Sequence, residues 1–274
     1  MKLGIDLGGT NMRVGLVDGH EIVAKEIIPC PSSESADTVL NTLISLIGRN
    51  MAPTVTGIGI GVPTLVDAER GIVYNATNIP SWREVHLKEA LEARFAVPVA
   101  VNNDANCFAL GEHRFGAGRG CRSLVGVTLG TGVGGGLVLN GELYNGRNTG
   151  AGEIGELPYM DHNFEYYCSS GFFVREYGTT GRDAAAAAAC GDSAAREIWN
   201  VFGSHVGRLM KALMFAYDPE MIVIGGGISS ALPLFRAAME AEMASFPYPE
   251  SLRNLRVEAS ALADVAILGA SALV

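Results

Sequence analysis

The first thirty residues alternate apolar and polar positions with a period of two. Leu3, Ile5 and Leu7 alternate with Gly4 and Asp6, which predicts a strand, and Gly8-Gly9-Thr10 turns the chain into a second strand from Met12 to Val17. Asp18-Gly19 has the composition of a tight hairpin turn, so Glu21 to Ile28 follows as a third strand of a meander. The period then changes. Between about Ala36 and Asn50, Leu40, Leu43, Ile44 and Ile47 fall at i, i+3, i+4 and i+7, one face of a helix. Val55 to Val62 is a glycine-punctuated strand ended by Pro63; His86 to Phe95 reads as a helix and Val97 to Val101 as a short strand. Asn102-Asn103-Asp104 stands at the carboxyl end of that strand, and Asp104 is expected to cap a helix running to about Arg114. The order so far is βββαβαβα.

A similar opening then returns. Gly4-Ile5-Asp6-Leu7-Gly8 matches Gly126-Val127-Thr128-Leu129-Gly130, and Gly15-Leu16-Val17 matches Gly136-Leu137-Val138. Two strand–glycine turn–strand units in one chain point to a duplicated domain, with chance similarity of glycine-rich hairpins as the alternative. Farther on come a long helix from about Ser193 to Tyr217, a buried strand Met221 to Ile224, and Gly225-Gly226-Gly227. A helix with Pro233 near its first turn, a strand near Leu255 to Ala259 and a terminal helix from about Asp264 complete the pattern. The run Ala184–Ala189 favours helix. Strands alternating with helices predict an α/β fold.

Composition narrows the class. Of 274 residues 48% are hydrophobic, enough for a sizeable core, and 35 are Gly, nearly double ordinary usage, which suits backbone-lined ligand sites. The net charge of −9, with no basic run, argues against nucleic acid and anionic membranes as partners. No apolar stretch approaches the length of a membrane span, and the first residues run straight into a strand without a signal-peptide pattern. The 5 Cys are scattered and lack a C-x-x-C, as expected of reduced thiols in a cytoplasm. A cytoplasmic enzyme or small-molecule binder is expected.

Four stretches carry candidate chemistry. In the first glycine turn, Gly8, Gly9, Thr10 and Asn11 can present backbone N–H and side-chain donors to an anion, or form an ordinary hairpin turn; Asp6 could hold magnesium through water. The second turn contains Gly130, Thr131 and Gly132 in a formal G-x-G-x-x-G. That fingerprint must open a helix, whereas Gly136-Leu137-Val138-Leu139 is strand-like, so a dinucleotide site fails on context. A Walker A sequence is absent. Asp104, at a strand's carboxyl end, can accept the proton of a substrate hydroxyl as it attacks phosphorus, and can cap a helix as well. Glu153, Glu156 and Glu165 are acceptors suited to vicinal hydroxyls, though taken alone they read as solvated surface; the glycines around the first two argue for a loop.

Taken together, these stretches resemble the ROK family (repressors, open reading frames and sugar kinases). The likeness rests on Asp6-Leu7-Gly8-Gly9-Thr10, Asn103-Asp104-Ala105-Asn106, Leu129 to Gly136, Gly152-Glu153-Ile154-Gly155 and Asp218 to Gly227, in this order along nearly the whole chain. It implies two actin-like (ribonuclease H-like) α/β domains with an interdomain cleft that closes on Mg-ATP and a hexose. The first domain would span 1–116 and take back the C-terminal helix, 264–274; the second would span 117–263. By resemblance Asp104 is the general base, while Asn78, Asn103, Glu153, Glu156 and Glu165 lie at the sugar. Gly8 to Asn11 and Gly130 to Gly132 would hold phosphates, with Gly225, Gly226 and Gly227 on the adenine side. The family also implies a homodimer.

Two departures matter. Glu156 stands where the family carries a zinc-binding, sugar-touching His, and Leu157 to Asn163 contains no Cys, with Cys168 after Glu165 rather than before it. Structural zinc is therefore not expected and the sugar pocket is altered. Family repressors carry a DNA-binding module ahead of the first glycine turn, for which Asp6 leaves no room. The expected activity is phosphoryl transfer from ATP to the 6-hydroxyl of a hexose or hexose derivative. Polyphosphate as donor, and a sugar binder without activity, are the alternatives.

Overall fold

The N-terminal alternation produces the meander it predicts: β1 (Lys2–Leu7), β2 (Asn11–Asp18) and β3 (Glu21–Pro29) pair antiparallel. After α1 (Ala36–Asn50), β4 (Ile58–Val62) adds parallel to β1; β5 (Val66–Asp67), β6 (Ile72–Tyr74) and β7 (Glu84–His86) form a small sheet of their own, which the sequence pattern did not predict. Then α2 (Leu87–Phe95) leads to β8 (Val99–Asn103), parallel to β4, and α3 (Asp104–Phe115). The opening repeats as β9 (Leu124–Leu129), β10 (Val133–Leu139) and β11 (Glu142–Leu143). A hairpin of β12 (Pro158–Tyr159) and β13 (His162–Asn163) precedes four helices, α4 (Phe164–Cys168), α5 (Gly171–Tyr177), α6 (Gly181–Ala189) and α7 (Ser193–Tyr217). The chain continues through β14 (Met221–Gly225), α8 (Leu232–Met243), α9 (Pro249–Asn254), β15 (Arg256–Ala259) and α10 (Val265–Ser271). This computed structural model describes residues 1–147 and 149–274.

The two large sheets share one plan. Their orders are β3-β2-β1-β4-β8 and β11-β10-β9-β14-β15, so in each the meander's first strand sits centrally and two parallel strands extend it. That common order gives the short sequence repeat its structural meaning. The fold is a mixed α/β fold. By compactness the chain divides into one unit of Met1–Gly120, Gly136–Gly152 and Ala261–Val274, and another of Cys121–Gly135 and Glu153–Ser260.

In the first unit the core on one side of the sheet is aliphatic, with Leu3, Ile5, Val14, Leu43, Ile47 and Ile60 fully buried together with Trp82. The other side is built for close approach. Gly15, Gly4 and Gly59 lie in register across β2, β1 and β4. The backbone of α10 lies directly on the last two: a Cβ on Gly4 would overlap the Ile267 carbonyl, and one on Gly59 the Ala270 carbonyl, while Gly15 makes room for the Ile267 side chain. On its far side α10 meets α3 in the same way, through Gly269 against the Cys107 carbonyl and Gly111 against that of Val265.

The second unit has an aromatic core. Phe172, Phe173, Trp199, Phe202 and Phe235 are buried together, and α7 closes on α8 because Gly203 and Gly207 leave room for the Phe235 and Met239 carbonyls. The β12–β13 hairpin is fastened to α7 by rings and one polar chain. Tyr159 stacks on Phe164 and meets Tyr167 and His205 edge-on. Arg208 Nη1 donates to the Tyr159 hydroxyl (2.9 Å), and guanidinium offers no acceptor, so the hydroxyl proton points at His205 Nδ1 (3.0 Å). His205 is thereby the tautomer protonated on Nε2. Burial, and then the nearby Arg208 charge, hold its pKa below the usual histidine value, against the opposing pull of Glu176 and Glu242.

Two outcomes follow from these contacts. Gly59→Ala should lower the denaturation midpoint by the equivalent of about 1–3 kcal/mol or more through overpacking. Gly48→Ala, exposed on α1 with only ordinary contact to Phe95 (3.9 Å), should raise stability by up to about 1 kcal/mol. Neutral His205 contributes stability that is fully present above its unfolded-state pKa and is lost as pH falls through the lower folded value. Thermal melts between pH 7.5 and pH 5.5 (a span on the order of the ordinary His titration) should therefore drop more steeply for the wild type than for His205→Asn.

Candidate active site

At the carboxyl ends of the first sheet's parallel strands the chain collects polar groups. Gly8 N–H donates to the Asn11 carbonyl (2.9 Å), and the Thr10 carbonyl accepts from Cys30 N–H (2.9 Å), so the turn after β1 is tightly closed. Gly9 rests on Asn78: a Cβ there would sit 2.8 Å from the Asn78 carbonyl oxygen. Asp6 pairs with Arg13 (3.2 Å), yet burial raises its pKa more than Arg13 lowers it, and Asp264 adds to the rise. Asp6 and Asn102 both stand in register with Gly61 of β4, one on each side, and a Cβ on Gly61 would lie 3.5 Å from Asp104 Cα. Cys107 reports the pair: burial first, then the charges of Asp104 and Asp6, push its thiol well up. Asp6, Asp104, Asn103, Asn78 and the turn Gly8–Asn11 therefore all belong to the first unit.

Asp104 does not cap α3 as the sequence suggested. Asn103 does. Its backbone is extended, and its Oδ1 accepts from Ala105 N–H (2.8 Å) and Asn106 N–H (3.3 Å). An amide that terminates a strand already has the geometry a cap requires, which leaves Asp104 as the first helical residue. There its carboxylate stands at the positive end of the helix, with Oδ1 accepting from Ala105 N–H (2.8 Å).

The second unit holds the other candidates. Gly130 N–H donates to the Gly132 carbonyl (3.0 Å), and the Gly130 carbonyl accepts from Ser170 N–H (2.7 Å). Glu165 clasps the same turn: Oε2 accepts from Val133 N–H (3.0 Å), and a Cβ on Gly132 would lie 2.5 Å from that oxygen. The turn leads into strand β10, not a helix. Gly225 ends β14; Gly226, at φ +81°, lies against the Leu129 backbone, and Ile228 N–H donates to the Leu129 carbonyl (3.0 Å). Gly227 and Gly130 are thus neighbours, a Cβ on Gly130 lying 3.9 Å from Gly227 N. Beside them opens a cavity of about 880 Å³, whose walls include Ser170, Phe173, Thr180, Arg182, Trp199 and Ile228.

Glu153 and Glu156 bracket a short 3-10 turn, Ile154–Glu156, where a loop was expected. Gly155 permits the turn because it packs onto the Val133 carbonyl, leaving no space for a side chain. Glu156 accepts from Asn163 Nδ2 (3.0 Å). Burial of its carboxyl, and then the charges of Glu156 and Glu165, raise the pKa of Glu153, so the three carboxylates form one electrostatic group.

The cavity walls were not anticipated. Thr180 has the sequence signature of a helix cap, and it is one, accepting from Asp183 N–H (3.1 Å). Trp199 reads as core of an amphipathic helix; it is 2% exposed, and its Nε1 has no hydrogen-bond partner among the described residues. Among the described residues no group of three or more His, Cys, Asp or Glu could hold a metal ion. Among them, too, no helix is long and apolar enough to cross a membrane.

Comparison with known proteins places the chain in a family. A glucokinase of Halalkalibacterium halodurans is 32% identical over 267 residues, covering 84% of this chain and 81% of the relative. A beta-glucoside kinase of Listeria monocytogenes is 31% identical over 259 residues, covering 88% and 87%. The crystal structure of a ROK family glucokinase from Streptomyces griseus, in complex with glucose and AMPPNP, superposes with a TM-score of 0.83 at 28% identity, over 99% of this chain and 98% of that one. The sequence profile of the ROK family matches residues 2–274, and the chain belongs to that family.

Proposed function

We propose that the chain is an ATP-dependent sugar kinase that transfers the γ-phosphoryl group to a hexose or hexose derivative at its 6-hydroxyl. One observation carries the reading most directly. Asp104 stands at the junction of β8 and α3, with Asp6 and the Gly8–Asn11 turn across β4 in the same sheet. This is where an open α/β sheet receives ligands. The kinase names of the family relatives agree with it. In this reading the chain has two domains, residues 1–116 with 264–274 and residues 117–263, a division that the two sheets of like order support.

Asp104 accepts the proton of the attacking hydroxyl while the sugar oxygen bonds to the γ-phosphorus and the bridge to the β-phosphate breaks, releasing ADP. Asn78, Asn103, Glu153, Glu156 and Glu165 bind the sugar's hydroxyls. Gly8 to Asn11 and Gly130 to Gly132 hold phosphate oxygens, and Gly225 to Gly227 border the adenine. Glu165 has a second task, since one of its oxygens already fixes the Gly130–Val133 turn. Magnesium keeps most of its water and is held through one or two carboxylates plus the nucleotide's phosphates. Asp6, a partly exposed carboxylate beside the glycine turn, fits an outer contact to such an ion. When bound, magnesium neutralises charge on the transferring phosphoryl group.

A nucleoside donor is favoured over bare polyphosphate by the cavity beside Gly130 and Gly227. At about 880 Å³, with Ala185, Ile228 and Ala231 in its walls, it has the size and the partly apolar lining that a base and ribose require.

Asp104→Asn should keep the fold and sugar binding while lowering kcat by about 10²–10⁴, read by coupled ADP release across a hexose panel. Turnover near wild type in that variant would sink the assignment of the base. Ser230→Trp, which intrudes on the cavity from an exposed wall position, should raise KM for ATP about tenfold and leave KM for sugar unchanged. Full activity on polyphosphate with no response to this substitution would favour the other donor.

A further inference from the structure

Behind the Asn103–Asp104 junction three asparagine amides meet. Asn102 and Asn106 are 3% and 1% exposed. Asn102 Oδ1 accepts from Asn103 N–H (2.8 Å) and from Asn106 Nδ2 (2.9 Å). Asn102 Nδ2 donates to Asn145 Oδ1 (2.9 Å), and Asn106 Nδ2 lies 3.4 Å from that same oxygen. Asn145 is thus the acceptor shared by the last turn of β8 and the first turn of α3. It comes from neither element. It lies just after β11, in the segment that ends at Gly152, whose next residue is Glu153.

That segment is closed on itself at its root. Ala151 N–H donates to the Asn145 carbonyl (3.2 Å), and Gly146, at φ +68°, packs close against Ala151. Both ends of the segment are therefore tied to one residue, and its side chain is tied to the strand–helix junction that carries Asp104. Asn145 also holds the Asn102 amide in its orientation. A reversed Asn102 amide would turn a donor toward Asn103 N–H and lose the bond that fixes the residue before the base.

Resting on the sugar-kinase reading, we propose that Asn145 is a positioning residue: its carboxamide oxygen fixes the segment that delivers Glu153 against the junction that presents Asp104. A residue that only filled a buried polar corner would affect stability and nothing else. A cavity of about 270 Å³ bordered by Asn102 and Asn145 gives water room to satisfy the amides that truncation would leave unpaired.

The test combines kinetics with backbone hydrogen exchange on the full chain. In Asn145→Ala, KM for the sugar should rise about tenfold, the scale of one lost buried hydrogen bond, while KM for ATP stays within about twofold. Asn145→Asp keeps the acceptor oxygen and should restore the sugar KM to within about twofold of wild type. The amides of Ala151, Ala105 and Asn106 should exchange faster in Asn145→Ala and return to wild-type rates in Asn145→Asp. Equal rises in both KM values, no rescue by Asp, or unchanged exchange would each overturn the proposal. Should Asn145→Ala not fold, sugar added to the wild type must slow exchange across residues 149–152, and no slowing overturns it. If the wild type releases no ADP with any sugar, the kinase reading fails, while the exchange comparison still decides whether Asn145 anchors the segment.

Discussion

The first unit depends on a helix whose backbone touches its sheet at Gly4 and Gly59. Within the row Gly15–Gly4–Gly59, the α10 backbone takes at Gly4 and Gly59 the place a layer of aliphatic side chains would occupy, Gly15 receives the Ile267 side chain, and Gly269 and Gly111 repeat the backbone contact against α3. Close-packed interiors tolerate such contact only where every Cβ in the way is absent. The sheet whose strands carry Asp6 and Asn103 at their carboxyl ends is therefore held against α10 at backbone distance on β1 and β4. Each glycine in this row is a matter of volume, and none of them has the left-handed backbone that most often explains a glycine.

The glycine turns obey a different rule. After β1 and after β9 the chain reverses within a few residues, and each turn is locked by something outside itself: Asn78 against Gly9, Glu165 and Ser170 against Gly130–Val133. Preorganised donors aimed at an anion cost no rearrangement when it arrives. Glu165 makes one carboxylate serve both the turn and, in the proposed function, the sugar. Glu156 is similarly held, by Asn163, the residue that caps α4. Two of the three grouped carboxylates, Glu165 and Glu156, are thus restrained acceptors.

Much of the fold was legible because periodicity and burial coincide. The meander, α1, α7 and β14 follow from apolar spacing alone, and the repeat of Gly4–Gly8 in Gly126–Gly130 foretold the common strand order. Elements too short to show a period escaped: β5 to β7, the β12–β13 hairpin and α4 are fixed by tertiary partners such as the Tyr159–Phe164 stack. The candidate site was legible where a motif carries several residues at once. Asn145 was not, since it is one polar residue in a glycine-rich stretch and acquires meaning only when β8 and α3 come to it. The Asp104 cap was misjudged for a related reason. Adjacent Asn103 and Asp104 are both good capping residues, and the choice between them is made by where β8 stops.

The dependence on α10 also has a temporal side. Residues 265–271 cover the central strands β1 and β4, which are synthesised more than 190 residues earlier, as the numbering of Gly59 and Val265 requires. While the chain is still emerging from the ribosome, the glycine-lined face of the first sheet therefore waits for its α10 cover until residues 265–271 have been made.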